Sequence, residues 1–122
     1  MADILIVEDH ALTLKLARLT LQADGHRVRT APNGANALAQ ATLCLPDLVL
    51  LDLMLPDNPG RQVLDWLRAL PGARRLPVVA FSVYMTAAER PHAIASGFTD
   101  LVPKPVAPSA LTACIRAHLV PS

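Results

Sequence analysis

The sequence predicts an α/β domain built on a five-stranded parallel sheet covered by helices on both faces. Three observations carry that prediction. The aliphatic runs Ile4-Leu5-Ile6-Val7, Leu48-Val49-Leu50-Leu51 and Val78-Val79-Ala80-Phe81 are short and lack polar alternation, as strands buried on both faces do. Stretches rich in Leu and Ala at helical spacing separate them, so strand and helix alternate over the whole length. The runs also end on polar side chains, and in an open α/β sheet the carboxyl ends of the strands are where ligands bind.

The elements follow in order. The first run, residues 4–7, ends on Glu8 and Asp9. Residues 11–23 are helical, with Gly25 placed to terminate them. Their apolar residues form two stripes, Leu12, Leu16 and Leu19 on one and Leu14, Ala17 and Leu21 on the other; Lys15, Arg18 and Gln22 mark the wet face. Residues 27–31 alternate, which suits a strand nearer a sheet edge. Pro32-Asn33-Gly34 turns into an Ala-rich helix reaching about residue 43. The central run, 48–51, ends on Asp52, and Pro56, Pro59 and Gly60 shape the turn after it. Residues 61–70 place Val63, Leu64 and Leu67 at helical spacing, and Pro71-Gly72 stops them. The fourth run ends on Ser82. A helix over 86–96 carries Pro91 in its first turns and Gly97 just beyond it. A short fifth strand, 100–102, runs into Pro103-Lys104-Pro105. The last helix, 108–119, buries Leu111 and Ile115.

Composition excludes several function classes. At 122 residues the chain fits one domain with a real core. Apolar residues make up 52% and charged residues 17%, against a disordered chain. Eleven Lys and Arg balance ten Asp and Glu to a net charge of +1, which leaves no electrostatic footprint for nucleic acid or an anionic membrane. No apolar run approaches the ~20 residues a membrane span needs. Met1 leads directly into a strand without a basic or apolar leader, so the cytoplasm is the expected address. Cys44 and Cys114 lack metal-ligand spacing and read as small core hydrophobes in a reducing compartment. The four histidines show no ligand spacing, Trp66 reads as a packing residue, and Asp3, Asp57 and Asp65 read as solvated or capping.

In a parallel sheet Glu8, Asp9, Asp52, Ser82 and Lys104 converge along one edge, although they are remote in sequence. Clustered carboxylates do not all ionise cheaply without a cation between them. Mg²⁺ suits such a site: it takes oxygen ligands, keeps waters, and uses one or two carboxylates together with a phosphoryl oxygen. A hydroxyl and a lysine match the phosphoryl group's remaining oxygens. The set reads as Mg²⁺-assisted phosphoryl transfer onto a carboxylate, with Asp52 as nucleophile.

From ILIVEDH to LVPKPV the chain resembles a receiver domain of two-component response regulators. The segment DLMLPDNPG is similar to that family's acceptor loop, Glu8 and Asp9 to its acidic pair, Ser82 to its switch hydroxyl and Lys104-Pro105 to its Lys-Pro step. The resemblance implies a flavodoxin-like, doubly wound sheet of order 2-1-3-4-5. It implies that Asp52 accepts a phosphoryl group from a histidine kinase or histidine phosphotransfer protein. Glu8, Asp9, Asp52 and the backbone carbonyl of Met54 would serve Mg²⁺, Glu8 partly through water, while Ser82 and Lys104 contact the phosphoryl oxygens. The Lys104–Pro105 bond is expected to be cis. An unidentified downstream protein would read the state, with no direct nucleic-acid or membrane contact. Self-phosphorylation from a small donor and slow autodephosphorylation are the only catalysis implied.

The family pattern places Thr13, Leu16, Ala17, Thr20 and Leu21 inward and leaves Leu12 and Leu19 flanking the site. The stripe Leu12, Leu16 and Leu19 is the candidate partner surface. Three positions depart from the pattern. Leu101 stands where the family has Tyr or Phe, Val83 is bulkier than the usual Ala or Gly, and Pro103 lacks an N–H. Met54 and Tyr84, two residues after the acceptor and the hydroxyl, are unsuited to orienting a hydrolytic water, so a long-lived phosphoryl group is expected. With no output domain after Leu119, a stand-alone relay protein is the favoured reading. The alternative is a pseudo-receiver that binds proteins with little or no phosphorylation. A haloacid dehalogenase-like phosphatase is weaker still, because Met54 stands where such enzymes need a second Asp.

Overall fold

A computed structural model describes residues 2–83 and 85–119. The strands are β1 (Asp3–Val7), β2 (Arg27–Ala31), β3 (Leu48–Asp52), β4 (Val78–Ser82) and β5 (Asp100–Pro103). The helices are α1 (Ala11–Ala23), α2 (Gly34–Leu43), α3 (Gly60–Arg68), α4 (Arg90–Ala95) and α5 (Pro108–His118). All strand pairs are parallel, and the sheet order is β2-β1-β3-β4-β5, as the resemblance implied. The alternating β2 is indeed an edge strand.

Strand periodicity splits the core into two layers. Leu5, Val7, Val49, Leu51, Val78, Ala80 and Leu101 face one way and meet Ala37 and Ala41 of α2, Val63, Leu64 and Leu67 of α3, and Ala93 of α4. Ile4, Ile6, Leu48, Leu50, Val79, Phe81 and Val102 face the other way, against Ala17 and Leu21 of α1 and Leu111 and Ile115 of α5. The strands β3 and β4 are buried at every residue, which is why their sequences show no polar alternation.

Helix ends follow local chemistry. The α1 N-cap is His10, whose imidazole accepts from the Thr13 N–H, and the α2 N-cap is Asn33, bonded to the Asn36 N–H at 2.8 Å. Gly25, Gly72 and Gly97 all take positive φ, the conformation that lets a glycine end a helix or turn. The segment predicted as one helix over 86–96 is divided into a 3₁₀ turn at Ala87–Glu89 and α4. Pro91 explains the division: lacking an N–H, it sits in the first turn of α4, so the regular helix starts beside it. The third helix stops at Arg68, short of residue 70. There the Arg68 guanidinium reaches the carbonyls of Leu76 and Gly97 and ties the α3–β4 loop to the end of α4.

Two sequence expectations fail here. Cys44 caps α2 and is exposed, not a core residue, because the helix ends before its side chain can turn inward. Leu16, expected inward, is 57% exposed; Leu14 takes the inward role beside Ala17 and Leu21. Trp66 packs against the core, as predicted.

Candidate functional site

The parallel register sets the carboxyl ends of β1, β3 and β4 side by side. Val7 pairs with Leu51, Asp52 with Phe81, and Ser82 with Pro103. The chain therefore brings Glu8, Asp52 and Ser82 to one edge, where all three are buried. Asp9, one residue further on, is exposed at the mouth. Carboxylate oxygens of Glu8, Asp9 and Asp52 lie within 4.8 Å of one another. With His10, Thr13, Met54, Val83 and Lys104 they line a cleft of about 360 Å³.

Lys104 enters from β5. Its backbone N–H donates to the Ser82 carbonyl at 2.9 Å, and the Lys104–Pro105 peptide is cis, as predicted. Its ammonium pairs with Glu8, stands 3.6 Å from Asp52 Oδ1, and lies 4.6 Å over the Phe81 ring. Sequence reasoning gave Lys104 to the phosphoryl oxygens and did not foresee the bond to Glu8, which spans 96 positions. It also missed Phe81, although a ring one residue before the hydroxyl was visible. Asp52 is held in turn: its Oδ1 accepts from the Met54 N–H at 3.1 Å. Glu8 Oε2 accepts from the Asp9 and His10 N–H groups at 3.1 and 3.3 Å.

Burial, followed by a hydrogen bond with the Asp52 carboxyl, pushes Glu8 up to about 7, against the pull of Lys104. A buried carboxyl raised this far beside a second carboxyl marks a cleft short of positive charge, and a single ammonium does not supply it. The donor set is oxygen only and opens on solvent through Asp9. It fits a hard divalent cation such as Mg²⁺, which accepts few carboxylates and retains waters.

The loop after Asp52 is pinned from both ends. Its turn closes with the Gly60 N–H donating to the Leu53 carbonyl at 3.1 Å. A Cβ at Gly60 would stand 2.7 Å from the Leu53 Cα, so glycine is required by close approach. Asp57 caps α2 across space, accepting from the Gly34 and Ala35 N–H groups at 2.9 and 3.0 Å, and those bonds hold its carboxyl below the usual range. Met54 is exposed beside the cleft, and so is Val83; Tyr84 lies outside the described residues. Leu12, Leu16 and Leu19 form an exposed stripe on α1, at 60%, 57% and 46%. Leu101 is fully buried in the α2–α3–α4 layer.

Spacing had suggested no metal ligands among the cysteines and histidines. The structure gathers Cys114 and His118, four apart on α5, with Asp100 of β5. That i, i+4 pair was legible on the helix; its carboxylate partner was not.

A doubly wound sheet of this order, carrying clustered carboxylates, a hydroxyl and a lysine on one edge, is the architecture of a flavodoxin-like receiver domain. The chain belongs to the response regulator receiver domain family, whose profile matches residues 4–116. It is 30% identical over 117 residues to the polar-differentiation response regulator DivK of Brucella anthropi, covering 96% of this chain and 95% of that protein. The response regulator PleD of Caulobacter vibrioides is 35% identical over 116 residues, 95% of this chain but only 26% of PleD. Among solved structures, the chemotaxis response regulator CheY4 of Vibrio cholerae superposes with a TM-score of 0.90 at 26% identity, covering 98% and 99% of the two chains. The receiver domain of sensor histidine kinase PA1611 from Pseudomonas aeruginosa, solved with magnesium coordinated in its active-site cleft, gives 0.87 at 25% identity and 97% coverage of both. No helix among the described residues is long and apolar enough to cross a membrane.

Proposed function

We propose that Asp52 takes a phosphoryl group from a phosphohistidine of a histidine kinase or phosphotransfer protein, and that protein partners read the resulting state. The observation that carries this reading is the placement of Asp52. It is a nearly buried carboxylate at the end of the central strand, held by the Met54 N–H and faced by Lys104, Glu8 and Asp9. An Asp52 oxygen attacks phosphorus, the P–N bond to the donor imidazole breaks, and the imidazole leaves with its electron pair and is then protonated. Lys104 stabilises charge on the transferring oxygens, and Ser82 binds one of them. Glu8, Asp9, Asp52 and the Met54 carbonyl would hold Mg²⁺, which neutralises phosphoryl charge when bound.

The chain is then no turnover enzyme on another substrate; it labels itself and slowly loses the label. A cytoplasmic address suits partners of this kind. The pseudo-receiver alternative finds no support in the site, where every acidic, hydroxyl and lysine position is filled by a competent side chain. The test is intact mass after acetyl phosphate with Mg²⁺. Wild type gains one phosphoryl group and Asp52→Asn gains none; a retained gain in the variant overturns the assignment.

A further inference from the structure

At the opposite end of β5 from Lys104, a second cluster of ligating side chains has no part in the acceptor chemistry. Asp100 opens β5, and Cys114 and His118 face it from successive turns of α5. His118 Nε2 lies 2.7 Å and Cys114 Sγ 3.7 Å from the same oxygen, Asp100 Oδ2. All three ligating atoms fall within 4.8 Å of one another, and all three residues are half-buried and reachable from solvent. We propose that Asp100, Cys114 and His118 form a site for Zn²⁺ or a similar borderline divalent ion, with water in the fourth position.

The donor chemistry selects the ion. A thiolate and an imidazole suit Zn²⁺ and exclude Mg²⁺, which demands oxygen. Zn–S distances of about 2.3 Å, Zn–N of about 2.0–2.1 Å and Zn–O of about 2.0–2.2 Å put tetrahedral ligands about 3.3–3.7 Å apart. The Cys114–Asp100 separation is already close to this. The His118–Asp100 hydrogen bond must open by about half an ångström to admit the ion.

The carboxylate is oriented for the task from behind. Asp100 Oδ1 accepts from Arg90 Nε and from the Leu101 N–H, both at 2.7 Å, which leaves Oδ2 aimed at the cluster. Arg90 also bonds the Leu101 carbonyl at 3.3 Å. With a thiolate, a carboxylate and a neutral imidazole, the site carries two negative charges against the single charge of Arg90. Burial and the neighbouring Asp100 push the Cys114 thiol up to about 11, so the ion must displace a proton, and loading releases acid.

The test uses the full chain with Cys44→Ser, which removes the exposed thiol, and excess Mg²⁺, which occupies the carboxylate site. Co²⁺ is the probe. The expected result is a near-ultraviolet thiolate-to-cobalt band that saturates at one ion per chain and is bleached by Zn²⁺. Cys114→Ser abolishes the band, and His118→Ala weakens Co²⁺ binding at least tenfold. Acetyl phosphate labelling of Asp52 in both variants reports that they fold. Zn²⁺ also slows alkylation of Cys114 in the parent. No band at stoichiometric Co²⁺, unchanged affinity in His118→Ala, or unprotected alkylation each overturns the site.

Discussion

At the scale of single residues, Glu8 does the most to set the resting state. It ties down the Lys104 ammonium and is hydrogen-bonded to the Asp52 carboxyl, so the cleft's own groups occupy one another. Its carboxyl moves from an ordinary value of 4.5 to about 7 on folding, raised mainly by burial. Between those values the folded chain holds a proton that the unfolded chain has released. Stability from this group is therefore fully present below about 4.5 and is lost as pH rises through about 7. Urea midpoints measured from pH 4.5 to 8 without divalent ions should fall in wild type and flatten in Glu8→Gln; equal slopes would remove Glu8 as the cause. Met54 sets a second residue-scale expectation. Exposed and apolar beside Asp52, its side chain offers no group to orient or activate water, and a phosphoryl group on Asp52 should be long-lived. Decay in Met54→Asn/Tyr84→Glu should be roughly tenfold faster or more, by loss of labelled mass; wild-type decay as fast would end that reading.

At the scale of elements, α1 has the most to say about partners. Its inward stripe is Leu14, Ala17 and Leu21, and its outward stripe, Leu12, Leu16 and Leu19, stays open next to the cleft. Leu12→Lys should slow transfer from a phosphohistidine protein while leaving acetyl phosphate labelling at its wild-type rate, followed by the two initial rates in parallel. Equal loss with both donors would point to damage at the site instead. Helix periodicity showed that α1 has two apolar stripes. It did not show which one the sheet covers, because that depends on how the helix rotates to seat Ala17 and Leu21 in the layer it shares with β1 and α5. The split of the 86–96 segment was similarly half-legible: Pro91 marked a first turn, but the sequence does not say how many residues before it relax into 3₁₀ geometry.

At the scale of the whole molecule, the strands and the site carboxylates were readable because buried strands and their polar ends are local signals, whereas the sheet order came only through the family resemblance. The contacts that join distant segments were not. Glu8 to Lys104, Arg68 to Gly97 and Asp100 to His118 each depend on the sheet having closed. The two core layers lie on opposite faces of the sheet, and β3 contributes to both. Leu50→Ala and Leu51→Ala open cavities on opposite faces of the sheet, and each should cost about 2–5 kcal/mol by urea denaturation. A cost in one layer alone, with the other unaffected, would mean that one layer repacks freely.

The bond between Glu8 and Lys104 also makes the cleft depend on the rim of the sheet. Asp52 precedes in the chain the lysine that faces it, and that lysine follows β5, the strand that forms one edge of the sheet. A chain cut before β5 would keep its clustered carboxylates but not the cation that pairs with them. The charge balance of the acidic turn after β1 therefore hangs on an edge strand, and any loosening of β5 from β4 would withdraw the counter-charge of Glu8.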